Sequence, residues 1–73
     1  MHLATSQIKA ARNVIAIGNT YPVRSELAAL GGRFSTVEQG WVIPVPSGSG
    51  ACAKLSQETF RLARLGVKFR AEN

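Results

Sequence analysis

The chain has 73 residues, with nine Lys or Arg against four Glu, a net charge of +5 and a pI near 10.4. That length makes a single small domain, residues 1–73. One cysteine, Cys52, excludes an internal disulfide, and one histidine, His2, with no aspartate excludes a four-ligand metal site. A 45% hydrophobic content is ordinary for a globular chain, so stability has to come from apolar packing.

In chain order, residues 1–12 leave three readings open. Leu3, Ile8 and Ala11 can share a short helical face closed by Asn13, or the segment is a flexible arm, or an extra strand. The run "NVIAIGN", 13–19, is β-branched and ends at Gly18-Asn19, which predicts a strand. Val14 and Ala16 point one way and Ile15 and Ile17 the other, so both faces are apolar and the strand is expected to be central.

A helix follows. Thr20 is its expected N-cap, and Pro22 suits the first turn because the missing N–H has no intrahelical partner there. Val23, Leu27 and Leu30 make one apolar stripe that leaves Arg24 and Glu26 outside. Gly31 is placed to end the helix in the left-handed conformation, and Gly32 to let the chain reverse closely.

"RFSTVEQGWVIPV", 33–45, predicts a hairpin turning near Glu38-Gln39-Gly40. Trp41, Ile43 and Val45 share one face, Val42 and Pro44 the other. Pro44 has no N–H for a ladder, so its strand lies at an edge or ends there. "PSGSG", 46–50, is the one linker-like stretch. The next segment, "ACAKLSQETFRLARLG", predicts a helix with Lys54, Gln57, Glu58, Arg61 and Arg64 on one face. Cys52, Leu55, Thr59, Leu62 and Ala63 lie on the opposite face. Lys54 and Glu58 are spaced as an i,i+4 ion pair. Gly66 stops the helix. "VKFRAEN" then alternates, with Val67, Phe69 and Ala71 inward and Lys68, Arg70 and Glu72 outward, as in a half-buried antiparallel strand. The predicted fold is α+β, a ferredoxin-like β-α-β-β-α-β chain with two helices on one face of a small, mainly antiparallel sheet.

Little in this sequence points to catalysis. Acid–base work needs a positioned group of tuned pKa, and a Ser or Cys nucleophile needs an adjacent base. His2 reads as a mobile terminal residue, the four glutamates are far apart, and Cys52 reads as a small buried hydrophobe rather than a reactive thiol. "SGSG" before a helix is a weak phosphate signal without a P-loop lysine. No cofactor is expected. The longest apolar run is too short to span a bilayer and the first residues lack a signal peptide's apolar stretch, so a soluble, cytoplasmic protein is expected.

The basic surplus favours anionic partners, with plain solubility as the alternative. Candidate contact residues are Arg24, Arg33, Trp41, Lys54, Arg61, Arg64, Lys68 and Arg70. Arg61 and Arg64 form an ordinary solvated helix face, or converge with Arg24 or Arg33 to track phosphates. An RNA-recognition motif is rejected, because "IAIGN" carries no aromatic and "QGWVIPV" carries one where several are needed for stacking. Trp41 is either a stacking platform or, more in keeping with Phe34 nearby, part of the core.

The stretch "GNTYPVRSELAALGGRFSTVEQGWVIPV", 18–45, resembles a family of short, uncharacterised modules in phage, plasmid and mobile-element proteins. The matching positions are Gly18 to Val23, Leu27, Ala29 to Gly32, Phe34, Trp41, Val42 and Pro44. Ser35-Thr36 and Gln39 depart from the family's turn, where an acidic residue and a Lys or Arg are common. A more distant likeness is to modules beside primase and topoisomerase domains and to the HARP module of annealing helicases. The resemblance implies an accessory role near nucleic acid. Three functions are therefore expected to compete: a non-enzymatic module binding nucleic acid or a nucleoprotein, an inhibitor of a host protein, and a homodimeric accessory protein.

Overall fold

The computed structural model describes residues 3–72, so the reading of His2 lies outside the described residues. The elements are α1 (Thr5–Lys9), β1 (Asn13–Gly18), a 3-10 turn (Tyr21–Val23), α2 (Arg24–Ala29), β2 (Arg33–Ser35), β3 (Gly40–Pro44), α3 (Ser49–Ala63) and β4 (Val67–Glu72). The four strands form one antiparallel sheet in the order β2-β3-β1-β4. This is a compact α+β fold with three helices, α1 being the helical alternative among the three readings left open for the first segment. No helix among the described residues is long and apolar enough to cross a membrane.

β1 is central, as its two apolar faces require. Val14 lies opposite Ile43 on β3 and Ala16 opposite Phe69 on β4. These side chains, with Val67, meet Val23, Leu27, Cys52, Leu55 and Leu62 from the helices in one core. Burial of that apolar area is the main stabilising term. Ala71 departs from the alternation: it is exposed on the outer strand although it lies opposite the buried Val14.

The helix entering from β1 starts differently from the expectation. Thr20 has a helical backbone and its side chain makes no capping bond, so the chain passes through the Tyr21–Val23 3-10 turn before α2 begins. Its end follows the sequence signal. Gly31, at φ +86°, donates to the Ala28 carbonyl, and Gly32 donates to the Leu27 carbonyl, both at 3.0 Å. Those two bonds are the Schellman arrangement, which satisfies carbonyls that the helix leaves unpaired. Val23 and Leu27 are buried and Leu30 packs against the core.

The hairpin turns over residues 36–39, and β3 ends at Pro44 rather than lying at an edge. Gly40 is buried where no side chain fits. A Cβ there would lie 2.4 Å from the Ala16 carbonyl oxygen and 2.6 Å from Ile17 Cγ2. Backbone has closed on that position from β1.

Within residues 3–12 the chain forms the helix α1, Thr5–Lys9. The Ala4 amide donates to Gln7 Oε1 at 2.8 Å, supplying an N-terminal cap. Leu3 and Ile8 are buried in the core, so α1 docks beside α3 in the helix layer and leaves the opposite sheet face uncovered. Thr59 and Ser56 hold it. The Leu3 amide donates to Thr59 Oγ1 at 3.2 Å, and Ser56 Oγ donates to the Leu3 carbonyl at 2.8 Å.

Two outcomes follow in urea unfolding. Gly40→Ala should cost about 2 kcal/mol, because the intruding methyl meets backbone that cannot step aside. Thr59→Val should cost about 1–3 kcal/mol by stranding the buried Leu3 amide, with faster amide exchange concentrated in residues 3–9.

Candidate functional site

The charge surplus has a structure of its own. Arg61 pairs with Glu58 at 2.7 Å and also with Glu26, tying α3 to α2. Hydrogen bonds to Glu58, then to Glu26, push the Arg61 guanidinium above its already high ordinary pKa. The expected Lys54–Glu58 pair does not form, because Glu58 turns the other way along the helix to share Arg61. Arg70 pairs with Glu38 at 2.5 Å, and Glu72 accepts from Asn13 Nδ2 at 3.2 Å. All four glutamates are thus engaged inside the chain. Among the described residues, seven of the nine cations make no ion pair: Lys9, Arg12, Arg24, Arg33, Lys54, Arg64 and Lys68.

The sheet face away from the helices carries three of the nominated residues. Its central row runs Arg33, Val42, Ile15, Arg70 from β2 to β4. Lys68 sits opposite Ile17. No helix covers this face, yet Ile15 is fully buried. The Arg70–Glu38 pair explains it. Arg70 stands on β4 beside Ile15, and Glu38 stands in the turn beyond β3, so the arginine stem crosses β1 over Ile15 and Ile17. Long cationic side chains cover apolar surface in this way while keeping their charge in water.

Trp41 is not on that face. It faces the helix side, packs against the core and meets Phe34 edge-on at 6.1 Å. Cys52 is buried, its thiol 3.5 Å from the Pro46 carbonyl oxygen. Among the described residues no three His, Cys, Asp or Glu side chains gather to hold a metal.

The remaining nominated cations divide between the two ends of the molecule. Lys54 lines a groove of about 220 Å³ between α2, α3 and the end of β3, with Leu30, Pro44, Pro46 and Leu55. Arg24, Arg64 and Lys68 belong to the other end. There β1 leaves the sheet opposite the start of β4, with Gly18 facing Val67. Asn19 clasps the turn after α3, its amide donating to the Gly66 carbonyl and its side-chain nitrogen to the Leu65 carbonyl, both at 3.2 Å. Arg61 does not join these as a free cation, since two carboxylates already hold it.

The same end holds a residue that the sequence reading passed over. Tyr21, the chain's single tyrosine, is 72% exposed, and the Arg24 guanidinium lies 3.9 Å from its ring centroid. Arg24 Nη1 also donates to the Tyr21 carbonyl at 2.7 Å. The signal available beforehand was the Tyr-Pro step followed by Arg three residues on, in a segment read as a helix start and as part of the family resemblance, with no contact role given to the ring.

Comparison with protein-family models, with curated proteins and with solved structures finds no match.

The Arg70 stem and its charge separate by substitution. Arg70→Met keeps the cover and loses only an exposed pair, so it should cost no more than about 1 kcal/mol. Arg70→Ala should cost measurably more in the same denaturation assay, because Ile15 is uncovered as well.

Proposed function

We propose that this chain is a small non-enzymatic binding module that contacts nucleic acid or a nucleoprotein through its basic residues. One observation carries the reading: among the described residues, every glutamate is engaged within the chain while seven cations have no ion pair. A surface of that kind attracts polyanions and gains affinity by releasing their counterions. Among the described residues, Arg33, Lys54, Arg64 and Lys68 are the nominated cations outside any ion pair or ring contact; Arg24 makes no ion pair but lies on the Tyr21 ring, Arg61 and Arg70 act within the fold, and Trp41 supports the core. Cytoplasmic work beside the nucleic acid of a mobile element is the setting this reading takes from the resemblance of residues 18–45.

The ferredoxin-like arrangement is part of the proposal. The order β2-β3-β1-β4 supports it, with α2 linking β1 to β2 and α3 linking β3 to β4, each across an intervening strand. α1 is then an addition to that plan.

Binding to the open sheet face by a second copy receives less support, since Ile15 is already covered and Arg33 and Lys68 would meet their own counterparts. A host protein as partner is the competing class.

A salt titration separates them. Affinity for bulk DNA or RNA should fall steeply with ionic strength, and Arg64→Glu with Lys68→Glu should weaken it at least about tenfold. A flat salt dependence, or one protein captured from a bacterial lysate that survives nuclease treatment, contradicts the nucleic-acid reading.

A further inference from the structure

The end of the molecule around Tyr21 joins an aromatic ring to uncompensated charge. The ring is 72% exposed although one of its faces carries the Arg24 guanidinium, so its other face is open to solvent. The Arg24 guanidinium also donates to the Tyr21 carbonyl, which places it against the ring. A tyrosine has only two side-chain torsions to fix when something stacks on it, and a cation beneath it adds to the attraction for an electron-rich partner.

Charge lies beside it. The Asn19 clasp brings the segment leading to Tyr21 against Leu65 and Gly66. Arg64 immediately precedes that turn and Lys68 follows it, and neither makes an ion pair. On the helix side, Arg61 reaches Glu26, which sets the last turn of α3 level with the Tyr21–Val23 segment. An open ring face next to two free cations matches the way single-stranded nucleic acid is bound: bases stack on aromatics while basic groups follow the phosphates. A duplex suits the site poorly, since its bases already have both faces stacked. A protruding ring of this kind cannot reach them without unstacking the helix.

We propose that Tyr21 is a stacking platform for one base of a single-stranded nucleic acid, with Arg64 and Lys68 contacting the flanking phosphates. This inference rests on the nucleic-acid reading above and names its substrate class and its site. The site lies at the end of the sheet where β1 gives way to the 3-10 turn, sharing Lys68 with the open sheet face and lying apart from the Trp41 edge.

The test is fluorescence anisotropy with the full chain and labelled oligothymidylate, oligouridylate and a duplex, each across a salt series. Tyr21→Ala should weaken single-strand binding about tenfold, the loss of one stacked base, and leave the salt slope unchanged. Tyr21→Phe should bind as the parent does, because it keeps the ring. Arg64→Gln and Lys68→Gln should each reduce the single-strand salt slope by about 0.7. Tyr21 is exposed, so the variants should keep the parent's thermal transition. Unchanged affinity in Tyr21→Ala, an equal loss in Tyr21→Phe, or the same loss on the duplex overturns the proposal and leaves the broader reading standing. Failure of the parent chain to bind any of the three at low salt overturns both. Capture of a protein whose binding depends on Tyr21, with nucleic-acid affinity unaffected by the substitution, assigns the ring to a protein partner and also overturns it.

Discussion

The architecture depends on one strand that is apolar on both sides. β1 buries Val14 and Ala16 beneath the helices and also presents Ile15 and Ile17 to the opposite face. A chain this small has helices for only one layer, and α1 joins that layer instead of crossing to the other side. The second face is closed by the sheet's own side chains, with Arg70 drawn across β1 by Glu38. One ion pair therefore supports packing that an additional helix supplies in larger folds. The value of that pair lies in the carbon chain it holds over Ile15 more than in the charges, which are exposed and screened.

The electrostatics follow the same economy. Two arginines absorb three glutamates, and two of these three contacts join segments distant in sequence: α3 to α2 through Glu26, β4 to the hairpin turn through Glu38. Structural needs thus consume nearly all the negative charge. The positive charge that remains is spread over both ends and the open face, so long-range attraction to a polyanion comes with no single dense patch. On the proposed reading, local features such as the exposed Tyr21 ring would then decide where a strand settles.

Much of the fold was readable along the chain because its signals are local. The Val23–Leu27 stripe with Gly31-Gly32 after it encodes a helix and its end, and the alternation through Val67 and Phe69 encodes a strand. The two faces of α3 are likewise set by spacing alone. What was not readable depends on partners far away. α1 shows only Leu3 and Ile8, and the residue that fixes it, Thr59, lies 56 positions on. Glu58 looked paired with Lys54 until Glu26 brought Arg61 into position. Arg70 read as a free outward cation, and its role emerges only with a glutamate 32 residues earlier. Tyr21 was hidden for a different reason: the chain enters α2 through a 3-10 turn in which Thr20 caps nothing, and that geometry, which composition does not reveal, accompanies a ring left outside the core.

The strand order leaves β4 at one margin of the sheet, six residues long and unpaired along its outer side. Such a margin is a template on which a second molecule can add, and concentrated solutions of small β-containing proteins are lost that way. Here the alternation that lets Phe69 enter the core also sets Lys68 and Arg70 on either side of it. If two β4 strands met head to tail about Phe69, each lysine would fall opposite the other molecule's arginine. Like charges would then face each other across the junction, which disfavours this mode of self-association.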